Sequence, residues 1–187
     1  MTHRCFGKKN NMLFQKTKIQ GVYLITQEPR VDARGYFVRT FAKEELKKQG
    51  ISFRIVHANR SLTIEKGMIR GMHYQLSPKQ EDKLVQCVRG SIFDVALDLR
   101  KGSQTYGKWF GEVLNAENNK MLLIPKGVAH GFQALEKNCL VEYFVSQYYS
   151  PLHERGIRWN DPAFKIDWPM KKVIVSEKDG KWPLVTK

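Results

Sequence analysis

The chain has 187 residues, 42% of them hydrophobic and 27% charged, which suits one domain of ordinary size with a core of its own. Its 32 Lys and Arg against 18 Asp and Glu give a net charge of +14, a field that favours anionic partners. The basic residues are scattered, without a polybasic arm or a basic stripe interleaved with aromatics, so a nucleic-acid-binding module is disfavoured. No segment approaches the ~20 apolar residues of a membrane span, and the N-terminal MTHRCFGKKNNMLFQKTK lacks a signal-peptide core. Cys5, Cys87 and Cys139 are odd in number and far apart, which argues against a disulfide framework and a cysteine zinc site and fits a reducing, cytoplasmic compartment. Cys87, inside LVQCV, reads as a small core residue.

Residues 1–18 read as an N-terminal extension whose order is left open, and 19–187 as a single domain. Strand-like runs then follow one another, separated by Gly, Pro, Asn and Asp: GVYLIT from Gly21, GYFVRTF from Gly35, FRIVHA from Phe53, MIRGMHY from Met68, KLVQCV from Lys83. SIFDVALDL from Ser91, KWFGEVL from Lys108, KMLLIP from Lys120, HGFQAL from His130 and LVEYFVS from Leu140 continue the series. Many short strands with such punctuation predict an all-β sandwich or barrel. In SIFDVALDL the alternation points Phe93, Val95, Leu97 and Leu99 one way and Asp94 and Asp98 the other. One helix interrupts the strands. AKEELKKQG has Glu44 and Glu45 early, Lys47 and Lys48 late and Gly50 just beyond, as the helix dipole and a glycine C-cap require. After Tyr149 the chain reads as an ordered wrapping segment with short turns, because Trp159, Phe164, Trp168 and Trp182 are too many bulky aromatics for a disordered tail.

Neither GxGxxG nor GxxxxGK[ST] occurs, which disfavours Rossmann and P-loop enzymes, and there is no GxSxG elbow. IPKGVAHGF holds Pro125, Gly127 and His130 in the order P-x-G-x-x-H, which resembles the second half of the cupin signature. The first half normally brings two histidines as H-x-H, but GMHYQ has only His73, followed by Tyr74 and Gln75. Two histidines are too few for a typical catalytic metal centre, so a barrel without a metal is expected. His73 then becomes a candidate proton-transfer group beside Arg70 in an unusually polar strand. Taken singly, His73 could equally be a satisfied core histidine, Tyr143 a core tyrosine, Lys83 an exposed strand end and Asp179 a turn residue.

The strings taken together are more specific. DARGYF, RGMHYQ, KLVQCVRGSIFDVALDLRKGSQTYGKW, LNAENNKMLLIPKGVAHGFQAL, YYSP, RWNDPAFKIDWP and SEKDGKWPL, in this order, closely resemble dTDP-4-dehydrorhamnose 3,5-epimerases from about Ile19 to Leu184. The resemblance implies a cupin-like jelly-roll barrel with a few short peripheral helices, acting without metal or cofactor. It also implies a homodimer in which N-terminal strands are exchanged and contribute to the partner's site. The substrate would be a nucleotide-linked 4-keto-6-deoxyhexose, epimerised at C3 and C5 on the way to cell-surface carbohydrate. His73 would be the general base, Tyr143 the general acid, Asp179 the group that holds the His73 tautomer, and Lys83 the cation that stabilises an enolate. Arg34, Phe37, Asn59, Arg70, Gln75, His130, Glu154 and Lys178 would contact substrate, with Arg34 and Phe37 reaching across the dimer.

The match has departures. Arg39 stands where the family commonly has a glutamate that contacts the base, and His57, Ala58 and Arg60 break the family's VQDNHS, with Asn59 and Ser61 kept. Both segments are expected to line the nucleotide and sugar pocket. A C3-only epimerase and a 3,4-ketoisomerase are therefore the neighbouring alternatives, and a metal-dependent cupin is the competing enzyme class.

Overall fold

The computed structural model describes residues 12–185, so the first eleven residues of the expected extension, with Cys5, lie outside it. In chain order the elements are β1 (Met12–Lys16), β2 (Tyr23–Gln27), β3 (Arg30–Asp32), β4 (Gly35–Phe37), α1 (Lys43–Lys48), β5 (His57–Thr63), β6 (Met68–Gln75), β7 (Lys83–Arg89) and β8 (Ser91–Asp98). They continue with β9 (Trp109–Asn115), β10 (Lys120–Ile124), β11 (Val128–Ala134), β12 (Cys139–Val145), β13 (Glu154–Gly156), β14 (Ile174–Val175) and α2 (Glu177–Gly180). One sheet runs β1-β2-β10-β7-β12-β5 and the other β13-β6-β11-β8-β9, with β14 alongside β6, while β3 and β4 form a separate hairpin. This is the all-β architecture expected from the strand pattern, and the cupin-like one that the resemblance implies.

Three apolar layers explain the sequence patterns. Between the two sheets lie Leu24, Val85, Cys87, Ile92, Ala96, Leu122, Phe132 and Val141. Burial pushes the Cys87 thiol up to about 12, as suits an inert core residue. The outer face of the first sheet contributes Ile25, Leu84, Met121 and Leu123, which pack under Leu46 of α1 and Phe53. The outer face of the second contributes Met72, Val95 and Leu97, covered by Ile157, Phe164 and Trp168 of the wrapping segment. Strands buried on both faces read as near-continuous apolar runs, which is why KMLLIP does not alternate.

That covering changes the meaning of β8. Its alternation is real, but Phe93, Val95 and Leu97 point outward under the wrapping segment, and Asp94 and Asp98, on the opposite face, are 0% exposed. Asp98 is satisfied by Arg100, Ser103 and Thr105, which hold its carboxyl well below the usual carboxylate range against the opposing effect of burial.

α1 forms where the sequence places it. Gly50 adopts φ +73°, its N–H donates to Lys47 O and the Ile51 N–H donates to Leu46 O, closing a Schellman motif. One expected strand is displaced. Of FRIVHA only His57 and Ala58 lie in a strand. The chain pairs instead over His57–Thr63, an edge strand whose exposed polar residues hide its period, while Phe53 packs beneath α1. Part of the expected extension is ordered as well: Met12–Lys16 pairs antiparallel with β2.

The join between β6 and β11 sets up the site. His130 pairs with His73, but Phe132 pairs with Arg70, so β6 carries one extra residue there, opposite Gly131. Arg70 and His73, three apart, would face opposite sides of a regular strand. The bulge turns both inward and sends Ile69 and Met72 outward to the apolar layer. Glycines permit this, because a Cβ on Gly71 would lie 2.5 Å from Gly131 Cα and 2.8 Å from His130 O, and Gly71 has φ +125°. Replacing Gly71 by Ala is expected to cost on the order of 3 kcal/mol in chemical denaturation, from overpacking and backbone strain together. A loss below about 1 kcal/mol would show that the two strands have room to move apart.

Candidate active site

A cleft opens at one end of the barrel between the two sheets, in two lobes of about 240 Å³ and about 380 Å³. His73, Lys83 and Tyr143 line both. The first lobe adds Ser61, Arg70, His130, Phe132, Val141 and Asp179. The second adds polar groups from several elements, among them His57, Asn59, Gln75, Glu81 and Glu154.

Each side chain has a local reason for its place. Tyr143 sits on β12 between β5 and β7, directly opposite Asn59 and Val85, with Val141 next on the same face. Burial raises its phenol above the ordinary value and the charge of Glu81 raises it further, with Arg70 opposing. Lys83 opens β7 and meets Glu81 at 3.1 Å. Arg70 is held by Thr63 Oγ1 and Leu62 O, both at 2.9 Å.

Asp179 comes from the far end of the chain. Ser176 caps α2 by accepting the Asp179 N–H, and β14 runs parallel to β6, so the carboxylate is delivered beneath Gly71 and His73. His73 Nε2 lies 2.6 Å from Asp179 Oδ1, while the Gly71 N–H and the Trp182 indole N–H also donate to this carboxylate. Burial alone would raise the Asp179 carboxyl, but these donors hold it below the usual carboxylate range. An ionised Asp179 accepts from Nε2–H, and in a neutral ring the lone pair is then on Nδ1.

A second histidine–carboxylate pair lies beside the first. His130 Nε2 is 2.7 Å from Asp94 Oδ1, and Asp94 is fully buried with Oδ2 unpartnered among the described residues. Sequence reasoning missed Asp94 as a site residue; the available signal was an acid alternating with apolar residues in β8, which does not say that its face is the inward one. It missed Glu81 altogether, since EDK before a strand reads as an exposed turn. Among the described residues no group of three or more His, Cys, Asp or Glu could hold a metal ion.

Other expected contacts fall differently. Gln75 is buried and its amide is engaged, donating to Lys79 O, Tyr148 O and Glu81 while accepting the Ser150 N–H, so it braces the 148–150 corner. Glu154 is ion-paired with Lys178 at 2.7 Å and accepts from the Tyr149 hydroxyl. Arg34 and Phe37 lie on the exposed β3–β4 hairpin, where Arg34 pairs with Asp32, and neither lines the cleft of this chain. Of the departures from the family strings, His57 lines the second lobe, with its ring edge-on to Tyr148 at 5.3 Å. Arg60 is ion-paired with Glu142 and lines neither lobe, nor do Ala58 and Arg39. The expectation that the whole 56–61 segment borders the pocket therefore narrows to His57, Asn59 and Ser61, one face of an alternating strand.

The family model for dTDP-4-dehydrorhamnose 3,5-epimerase matches residues 16–187. A dTDP-4-dehydrorhamnose 3,5-epimerase of Methanothermobacter thermautotrophicus is 45% identical over 172 residues, covering 90% of this chain and 92% of its own. The crystal structure of the Bacillus anthracis dTDP-4-dehydrorhamnose 3,5-epimerase with TDP and PPi bound superposes with a TM-score of 0.90 at 40% identity, covering 93% of this chain and 99% of that one. A dTDP-4-dehydrorhamnose 3-epimerase of Streptomyces niveus is 37% identical over 162 residues, or 86% of this chain and 78% of its own. With cleft, strand order and sequence in agreement, the chain belongs to the dTDP-4-dehydrorhamnose 3,5-epimerase family.

Proposed function

We propose that the chain epimerises a dTDP-linked 4-keto-6-deoxyhexose at C3 and C5 through an enolate. The observation that carries this reading is that His73 and Tyr143 border the same two lobes together with Lys83. A ketone at C4 acidifies the protons on both neighbouring carbons. His73 Nδ1 takes one of them, and the C–H electron pair moves through the C3–C4 or C5–C4 bond onto the carbonyl oxygen. Asp179 keeps Nε2–H occupied, so that the lone pair is on the acting nitrogen. The Lys83 ammonium meets the enolate charge in a site of restricted water access, where a fixed cation is most effective. Tyr143 returns a proton to the opposite face. Its raised phenol suits that duty, since the group still bears its proton at neutral pH. The electron count of the sugar is unchanged, so the sequence demands no redox cofactor.

Arg70 and the second lobe suit the diphosphate and nucleoside, with Arg70 offering the bidentate geometry that phosphate oxygens favour. The rest of that surface we assign to a second copy. Val31, Tyr36 and Phe37 on the β3–β4 hairpin are 77%, 66% and 57% exposed, and the hairpin carries Arg34 away from its own cleft. Such residues at the end of a projecting hairpin suit insertion into the partner's site in a homodimer.

Incubation with dTDP-4-keto-6-deoxyglucose in D₂O should place deuterium at both C3 and C5. Label at C3 alone would instead assign the chain the activity named for the Streptomyces niveus relative. His73→Ala should lower exchange at both carbons by about 10³-fold or more. Tyr143→Phe should retain exchange but lose the inverted product, because abstraction survives and protonation from the far face does not. For the dimer, mixing inactive Arg34→Ala with inactive His73→Ala should restore part of the activity, since one hybrid site then contains neither change. Absence of any recovery in a mixed preparation shown to have exchanged subunits would argue that the hairpin serves its own cleft.

A further inference from the structure

One charged group in the cleft has no part in the proposed reaction. Glu81 lies two residues before β7, with its Oε1 3.1 Å from Lys83 Nζ; the two side chains are 12% and 13% exposed. Its Oε2 accepts from Gln75 Nε2 at 3.3 Å, and Gln75 is itself braced against the Tyr148 carbonyl and the Ser150 N–H. The neighbouring Asp82 is clamped too. Its N–H donates to Ser146 Oγ, and its carboxylate accepts from the Ser146 hydroxyl and the Lys126 N–H. The carboxylate of Glu81 is thus held from both sides, facing the cation.

A fixed negative charge beside a site where an enolate develops works against the reaction unless it serves the cation that stabilises it. An ammonium this enclosed has little water to hydrate it, and the close carboxylate is its fixed partner. A lysine stem also has many rotamers, from which an ion pair selects one. We propose that Glu81 is a positioning residue acting through Lys83, holding the ammonium at the wall shared by both lobes until the substrate's ketone oxygen takes over the contact. This rests on the epimerase reading. The same carboxylate bears on Tyr143, whose phenol is raised first by burial and then by Glu81. Other charged groups around that phenol are Arg70 and His73 on β6, Lys83 on β7, His130 on β11 and Asp179 on α2. From the second lobe His57, Tyr149 and Glu154 face it as well. Arg70 acts in the opposite direction to Glu81. Removing the negative charge therefore lets the phenol ionise at lower pH.

The test uses the full chain carrying Glu81→Gln. Turnover should fall about tenfold with KM changed less than about threefold, a smaller loss than removing a direct oxyanion contact. In a Lys83→Ala background the same change should alter turnover by less than about twofold, because its route of action is gone. An equal loss in both backgrounds overturns the proposal. Independently of substrate, the Tyr143 signal of protein labelled with ¹³C at the tyrosine Cζ should titrate at lower pH in Glu81→Gln than in wild type. An unmoved titration overturns it as well. Wild-type exchange in D₂O, measured on the same preparation, separates the two readings: no wild-type exchange refutes the epimerase, whereas an active wild type with additive losses refutes only the role of Glu81. Should Glu81→Gln fail to fold, Glu81→Asp keeps the charge but withdraws it by one methylene. It must then lower turnover while leaving the Tyr143 titration near that of wild type, and unchanged turnover overturns the proposal.

Discussion

The hydrogen bond from His73 to Asp179 joins residues 106 positions apart, and much of the C-terminal segment is arranged so that it can form. A carboxylate buried this deeply is costly unless several donors meet it. Three do: the His73 ring, the Gly71 N–H and the Trp182 indole. Placing them requires the Ser176 cap on α2, the parallel run of β14 along β6, and Trp182 seated where a side chain on Gly156 would collide with its ring. The wrapping segment thus both seals the outer face of the second sheet, through Phe164 and Trp168, and supplies the group that fixes the orientation of the candidate base. Loss of its packing would be felt at His73 before it was felt in the barrel core, because the two sheets share a separate apolar layer.

A barrel strand offers only alternate positions to its interior, which limits how many polar groups a site can gather from one strand. The bulge in β6 relaxes that limit and gathers Arg70 and His73 on one side. Gly71 and Gly131 carry the consequence, since their backbones approach more closely than any side chain would allow. Bulges next to functional sites commonly re-aim a side chain in this way. Here the local departure from ideal geometry and the candidate chemistry coincide in the same four residues.

How far this was legible in the sequence depended on the kind of signal. β7, β8, β10 and β12 are legible because strands covered on both faces concentrate apolar residues between turn formers, and α1 because charge order and Gly50 mark both of its ends. β5 escaped because an edge strand that presents His57, Asn59 and Ser61 to a polar cleft and Ala58, Arg60 and Leu62 outward has no hydrophobic period to detect. The polar face of β8 was visible as a pattern but not as an interior, since alternation gives two faces without saying which one is wet. His73, Lys83, Tyr143 and Asp179 were singled out by long matching strings; taken one at a time each had a bland reading. Their convergence on one cleft is a property of the strand order, which periodicity does not encode.

A net charge of +14 does not make the site one of bare cations, because the cleft is arranged in pairs. His73 faces Asp179, His130 faces Asp94, Lys83 faces Glu81 and Lys178 faces Glu154. Arg70 differs, being held by a hydroxyl and a carbonyl, which engage two of its donors without neutralising it. On the proposed assignment, a phosphate meets Arg70 without displacing a carboxylate, whereas a ketone oxygen gains the Lys83 ammonium only in competition with Glu81. That competition favours the enolate over the neutral ketone, because a full negative charge contends with a carboxylate far better than a carbonyl dipole does. An interaction that strengthens only as charge develops lowers the barrier, where an unpaired cation would also tighten the ground state. On that assignment, pairing of this kind would make the site selective for the transition state while the long-range positive field remains available to draw in a dianionic substrate.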